Sequence, residues 1–323
     1  MGSTCGTVGS LAMIIVTSYD SPDLDGIACS IAYTELLRNL GREVKTTYYG
    51  DLGLEVDFVK KFTNYFPIER HKGAYRSDAQ FVLVDTADPD ALDPAIQPEK
   101  VIEVYDHRQL VFMEKFVNSK KKIELVGSCA TLIAEEFQKN NLAPSVNAAI
   151  YLYSAIVSNT INFKNSITTK RDIVAAKWLK GFVSLPADYI KQMFSSKSLV
   201  TADNLYQILY QDFAIKVFDG KKVGIAQIEI INLETTLRKL KDELRNSLIR
   251  LREEHDLDYA FFTGIDLLEG FNIFYTIDSG SNSLFSKVLG IPELKAVYKS
   301  NAIIMRKEIW PKVEAALRIP TKT

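Results

Sequence analysis

The chain has 323 residues, 47% of them hydrophobic, and a formal net charge of -1 at pH 7. That length allows a large core and about two domains, while the neutral balance argues against a duplex nucleic-acid partner, which selects a basic surface. No apolar run approaches the roughly 20 residues that span a bilayer, and Cys5, Cys29 and Cys129 show neither metal-ligand spacing nor a disulfide framework, as in a reduced, cytoplasmic protein.

Residues 1–12 lack the basic start and apolar core of a signal peptide and read as a tag-like or disordered extension. The apolar run IIV at 14–16 predicts a strand. A helix follows, with Ile27, Ile31, Leu36, Leu37 and Leu40 at helical spacing and a stop at Gly41. EVKTTYYG reads as a strand and LEVDFVKKFTNYF as a helix. FVLV at 81–84 is a buried strand with a turn at Asp88-Pro89, and VIEVYDHRQ is another strand. GSCATLIAEEFQ, NAAIYLYSAIVSN and TTKRDIVAAKWLKG read as helices, the last capped by a Thr. Strand-helix alternation predicts an α/β domain over 13–185, with a mostly parallel sheet and flanking helices. Residues 186–200 are mixed and polar, begin at Pro186, and read as a linker.

A second, smaller α/β domain is expected over 201–323. It opens with a hairpin about Asp219-Gly220, since Asp-Gly favours the tight primed turn. One long amphipathic helix follows over TTLRKLKDELRNSLIRLREEHD, with Leu237, Leu240, Leu244, Leu248 and Leu251 on one stripe. DYAFFTGIDLL and GFNIFYTID are strands. SLFSKVLG and RKEIWPKVEAAL are short helices.

Chemistry gathers where three apolar runs end. Asp23 and Asp25 follow the first, Asp85 ends FVLV, and Asp106-His107-Arg108 ends the third. Adjacent parallel strands end on one rim, where ligands bind. Carboxylates and one imidazole there suit a divalent cation such as manganese or magnesium. Asp106 is placed to orient the His107 ring, Arg108 to take a phosphate oxygen bidentately, and the following helix to offer free N–H groups to a phosphate. The plainer alternative makes Asp23 or Asp25 a helix cap and Asp85 a turn residue. His71 and His255, in charged surroundings, read as surface residues.

The order PDLDGI, VDTAD, YDHR, GSCAT, SAIVSNTINFK and TTKRD resembles the DHH phosphoesterase superfamily. GSCATLIAEE and GKKVGIAQIEI resemble its DHHA2 branch, which includes manganese-dependent family II inorganic pyrophosphatases and exopolyphosphatase/prune proteins. The resemblance spans roughly residues 13–315. It implies a two-metal site between a DHH catalytic domain and a DHHA2 substrate domain, with Asp23, Asp25, Asp85 and His107 as ligands and Asp85 bridging. It implies Asn159 as a further, uncharged ligand where the family has Asp, and Arg306 and Lys307 as substrate-binding cations. It also implies Tyr19 where the family has a ligand His.

The expected activity is metal-dependent hydrolysis of a phosphoanhydride or phosphoester, catalysed by Asp85, His107 and Arg108 at a weakened metal site. The cofactor is manganese first, with magnesium or cobalt as alternatives. The substrate is a small phosphorylated compound: polyphosphate, pyrophosphate or a nucleotide. Two alternatives stand beside this reading: an impaired relative that binds a phosphorylated ligand or a protein partner, and a nucleotide or nanoRNA phosphodiesterase. A homodimer paired through a sheet edge is a further implication.

Overall fold

A computed structural model describes residues 13–108, 113–291 and 297–318. The chain divides into two compact units. One runs to Thr160 and includes Ile167–Ala187; the other comprises Ile161–Ser166 and the chain from Asp188. The expected extension at 1–12, and Gln109 at the end of VIEVYDHRQ, lie outside the described residues.

The first unit contains β1 (Ile14–Thr17), α1 (Leu24–Asn39), β2 (Val44–Tyr48), α2 (Leu54–Lys60), β3 (Glu69–Arg70), β4 (Gln80–Val84), β5 (Val101–Asp106), β6 (Lys120–Ile123), α3 (Cys129–Lys139), α4 (Val146–Asn159) and α5 (Lys170–Lys180). Its six strands form one parallel sheet in the order β3-β2-β1-β4-β5-β6. Strands β1 and β4 are covered on both faces, which explains their continuous apolar sequence. Ile15, Phe81, Leu83 and Val104 pack on one face with Leu92, Ile96 and Phe116. Helix α1 packs on β1 and, with α3 and α4, forms a helical layer.

Almost every residue of α1 from Leu24 to Leu37 is buried, so this helix has no polar stripe. Gly26 lets its first turn approach the end of β1, since a Cβ there would lie 2.5 Å from Ser18 Oγ. Winding reverses between β1 and β4, and the carboxyl ends of β1, β4 and β5 lie side by side at that reversal. This is where open α/β sheets bind ligands.

The second unit contains α6 (Tyr189–Ser196), α7 (Leu205–Gln211), β7 (Phe213–Phe218), β8 (Lys221–Ile230), α8 (Leu233–Lys239), α9 (Lys241–Glu254), β9 (Tyr259–Asp266), β10 (Asn272–Thr276), α10 (Ser279–Leu289), β11 (Val297–Lys299) and α11 (Arg306–Leu317). Its mixed sheet has the order β11-β10-β9-β8-β7. Asp219 and Gly220 both take left-handed backbone, with φ of 47° and 77°, so the β7–β8 turn is the primed type that Asp-Gly favours. Ala226, Ile228, Phe262 and Ile273 face α7, α8 and α9. Ile225, Phe261 and Phe274 face α10 and α11.

Several expectations change. Residues 186–200 carry helix α6, whose Tyr189, Met193 and Phe194 are buried, where a linker is expected. The long helix after β8 is two helices that meet at Leu240 (φ -108°, ψ 30°), a break that neither Gly nor Pro announces. The helix expected over LEVDFVKKFTNYF stops at Lys60, and Asn64 N–H donates instead to the Asn147 side chain at 3.2 Å. Strands β3 and β6 have sequences ER and KKKI, too short or too charged to show a strand pattern. His71 and His255 are half-buried, not surface residues. His71 stacks on Tyr75 with ring centroids 3.6 Å apart, and His255 lies 5.3 Å from the Phe213 ring.

Leu248 is fully buried on the α9 stripe. Leu248→Ala should cost the second unit about 2–5 kcal/mol. Urea unfolding read through Trp310, in a Trp178→Phe background, checks this; an unshifted midpoint would contradict the burial.

Candidate metal centre

The two carboxylates of Asp23-Leu-Asp25 do different jobs. Asp23 is the N-cap of α1, and its Oδ1 accepts the N–H groups of Asp25 (2.8 Å) and Gly26 (3.1 Å). Those N–H groups are therefore taken and do not meet a phosphate, contrary to the expectation for this helix start. Asp25 points inward and is fully buried. Its carboxylate sits on the N-terminus of α3, accepting the N–H groups of Cys129 (2.8 Å) and Ala130 (2.9 Å) and the Ser128 hydroxyl (2.9 Å). The uncapped N–H groups and dipole of a helix start favour an anion there. Asn159 Nδ2 donates to Asp25 Oδ2 at 2.6 Å.

Asp85 ends β4 in the left-handed region, with φ of 58°. Its N–H still donates to Tyr105 O at 2.8 Å, so the reversal turns the side chain without freeing the backbone. Asp85 Oδ1 is buried and has no hydrogen-bond partner. At the end of β5, Asp106 Oδ1 accepts from His107 N (2.6 Å), Arg108 N (3.0 Å) and Arg108 Nε (3.1 Å). This clamp closes the turn and holds the Arg108 side chain, but it meets only the backbone of His107, so Asp106 does not orient the ring as expected. His107 Nδ1 donates to the Val126 carbonyl at 3.0 Å. A carbonyl only accepts, so the proton belongs on Nδ1 and the Nε2 lone pair faces inward.

His107 Nε2 lies 3.4 Å from Asp85 Oδ1 and 3.9 Å from Asp25 Oδ2. Ligand atoms of Asp25, Asp85 and His107 all fall within 4.8 Å of one another. Three electron-pair donors in a buried space repel unless a positive charge joins them. Burial and the Asp25 charge push the Asp85 carboxyl up to about 8, against the lowering effect of His107. Burial alone would lower His107, but Asp85 and Asp25 outweigh it and raise the imidazole to about 9. At 3.4 Å an imidazolium and a carboxylate attract by roughly 5 kcal/mol at an effective dielectric near 20. Burial raises Asp25 as well, opposed by His107 and the α3 N–H groups. A metal-free centre therefore retains protons at neutral pH.

The donor set fits a divalent cation. Two carboxylates and a neutral imidazole suit manganese. Ligands about 2.1 Å from one ion sit near 3 Å apart in an octahedron, close to the observed Asp85–His107 separation. The orphaned Asp85 Oδ1 would gain the partner it lacks. The thiols are not competitors: burial raises Cys29 well above its ordinary value and Cys129 up to about 11.

The remaining expected residues divide. Asp23 contributes negative charge to Asp25 and Asp85 while serving as the cap. Asn159 turns its amide N–H, not its carbonyl oxygen, toward Asp25. Arg108 Nη2 donates to the Asp85 carbonyl and lies 3.7 Å from Asp85 Oδ1. Burial, then the charges of Asp23 and Asp85, raise the Tyr19 phenol well above its ordinary value. Arg306 and Lys307 lie in the second unit, at the start of α11. Arg306 Nη1 donates to the Asp212 carbonyl at 2.6 Å, and Nη2 to Asp212 Oδ1 at 2.5 Å.

Sequence reasoning missed the support of the centre. Asp172 is fully buried. Its Oδ2 accepts from Gly127 N (2.9 Å) and Thr169 N (2.7 Å), and its Oδ1 from Thr131 Oγ1 (2.6 Å). It thereby anchors the 126–128 loop, which orients His107 through Val126 O and Asp25 through Ser128. A Cβ on Gly127 would lie 2.7 Å from Thr160 Cγ2, so the loop needs glycine. TTKRD carried the signal, but capping of α5 by Thr169 and Asp172 accounts for it locally.

Residues 191–316 match the family model of the DHHA2 domain. The second unit carries a DHHA2 domain. Beyond it, the chain is 27% identical over 260 residues to a "probable manganese-dependent inorganic pyrophosphatase" of Bacillus licheniformis, covering 80% of this chain and 84% of that protein. It is 25% identical over 309 residues to a manganese-dependent inorganic pyrophosphatase of Methanothrix thermoacetophila, covering 94% and 98%. The crystal structure of a Methanococcus jannaschii protein assigned to family II inorganic pyrophosphatases superposes with a TM-score of 0.72 at 25% identity, covering 94% of this chain and 99% of that one. The match thus extends from the DHHA2 domain through the parallel-sheet unit, as the motif order implies.

Cation binding at this centre should release protons, because Asp85 and His107 hold them when metal-free. Affinity for Mn²⁺ should rise from pH 6 to pH 8, by about tenfold per pH unit for each proton displaced. Isothermal titration in buffers of different ionisation enthalpy measures both quantities. A pH-independent affinity would show that the cation binds elsewhere.

Proposed function

We propose that the chain is a manganese-dependent phosphohydrolase acting on a phosphoanhydride, with pyrophosphate or a short polyphosphate as substrate. The observation that carries this reading is the convergence of Asp25, Asp85 and His107, with an unpartnered carboxylate oxygen facing the imidazole Nε2. The manganese-dependent pyrophosphatases to which the chain is similar support the same chemistry. Asp25, Asp85 and His107 would hold the cation, which when bound supplies Lewis acidity toward a phosphoryl oxygen and toward water.

The protein's own groups do the rest. Asp25 is immobilised by α3 and His107 by Val126 O, so neither must reorganise during reaction. Arg108 carries a permanent charge, and Asp106 fixes its plane for contact with phosphoryl oxygens. We assign substrate contact in the DHHA2 domain to Arg306 and Lys307 on sequence grounds. Two copies would pair through an edge of the first sheet, β3 or β6.

We also propose that the centre holds one firmly bound cation. Tyr19 stays a neutral phenol, and Asn159 gives Asp25 a proton donor instead of adding negative charge. Either feature leaves a second dication short of anionic ligands.

Purified protein assayed with Mn²⁺ against pyrophosphate, tripolyphosphate, long polyphosphate and dinucleotides tests the reading. Asp85→Asn should lower phosphate release by about two orders of magnitude or more, the scale of electrostatic stabilisation at such sites. Unchanged turnover in Asp85→Asn would reject the centre. Tight Mn²⁺ binding without hydrolysis of any of these compounds would favour a ligand-binding role.

A further inference from the structure

Two hydrogen-bond donors beside the triad have no acceptor among the described residues. The Tyr19 hydroxyl oxygen accepts the Asp23 N–H at 3.1 Å, but no hydrogen bond runs outward from its own proton. Arg108 commits Nε and Nη2 to Asp106 and to the Asp85 carbonyl, leaving both N–H groups of Nη1 without a partner. The two side chains are neighbours, with Arg108 Cζ 5.8 Å from the Tyr19 ring centroid. Arg108 adjoins the triad at 3.7 Å from Asp85 Oδ1, and its side chain is 47% exposed, so its outer edge is open to a ligand.

We propose that the Tyr19 hydroxyl and Arg108 Nη1 form a two-donor seat for one tetrahedral oxyanion, a phosphoryl group or inorganic phosphate, at the edge of the metal triad. The identity of the anion rests on the hydrolase reading above; the seat itself follows from the two uncommitted donors. The chemistry of each group favours this assignment. Nη1 offers its N–H groups on a guanidinium that keeps its charge. The hydroxyl adds a donor from a different direction, and its oxygen is already oriented by Asp23 N–H. A cation at this position would instead require Tyr19 to accept, and the Asp23 N–H already occupies that side of the oxygen. Water satisfies the same donors without the ligand, but water does not use the charge on Arg108. The seat makes Tyr19 a substrate-binding residue in its own right, beside a centre with a single cation.

The test uses the intact chain and inorganic phosphate, titrated calorimetrically into protein loaded with Mg²⁺, with Mn²⁺ affinity measured separately. Tyr19→Phe removes one oxygen and should weaken phosphate binding on the order of tenfold, as for loss of a hydrogen bond to a charged group. Its Mn²⁺ affinity should stay within about twofold, because the triad is untouched. Arg108→Lys, which keeps the charge but loses Nη1, should weaken phosphate by a similar factor. The proposal is overturned if Tyr19→Phe binds phosphate as tightly as the wild type, or if wild type binds none. It is equally overturned if Tyr19→Phe loses phosphate and Mn²⁺ together, since Tyr19 would then only brace the Asp23 turn. Tyr19-dependent phosphate binding in a chain that hydrolyses nothing would retain the seat and reject the hydrolase reading alone.

Discussion

An imidazole nitrogen and two carboxylates face one another across a buried space, and positive charge must lie between them. Everything else in the first unit serves that arrangement. The Val126 carbonyl accepts from Nδ1–H, so Nε2 is the nitrogen that faces Asp85 Oδ1, at 3.4 Å. Burial and the mutual charges of this group raise Asp85 and His107, so without a cation the space favours protons. Protons and a dication are thus alternative solutions to one electrostatic problem, and pH and metal concentration choose between them.

The support is built from groups that carry no chemistry of their own. Helix α3 offers its first N–H groups to Asp25, making a carboxylate tolerable where exposure is zero. Asp172 ties the preceding loop to α5 and so reaches both Asp25 and His107 through one anchor. Asp106 closes the turn after β5 over His107 and Arg108. Such outer partners orient the ligands and set how much reorganisation a reaction demands. Asp172 thus bears on metal affinity although it is no ligand.

Tyr19 and Asn159 bring proton donors to the surroundings of the triad. Tyr19 places an O–H beside Arg108, and Asn159 an N–H on Asp25. A site rich in donors binds oxyanions, whereas one rich in carboxylates binds cations. Here both kinds of group lie side by side: the triad of Asp25, Asp85 and His107, and the donors of Tyr19 and Asn159.

Much of the fold was legible in the chain itself. Continuous apolar runs marked β1 and β4 because those strands are buried on both faces, and Asp219-Gly220 marked its hairpin because few residues accept left-handed backbone. Strands β3 and β6 were not legible, since an edge strand of charged residues has no apolar pattern to show. The break at Leu240 was hidden because an unbroken leucine stripe describes which face is buried, not whether the axis is straight. The sequence pointed to one rim for Asp25, Asp85 and His107, since each lies in the segment that follows a strand of one parallel sheet. Only the tertiary structure decided that Asp23 caps a helix while Asp25 enters the core, which nitrogen of His107 looks inward, and that Asp172 holds the loop beneath them. Asp25 and Asp172 depend on partners more than forty residues away along the chain, as from Gly127 to Asp172, and His107 on Val126 across the following loop, and local pattern carries no information about such contacts.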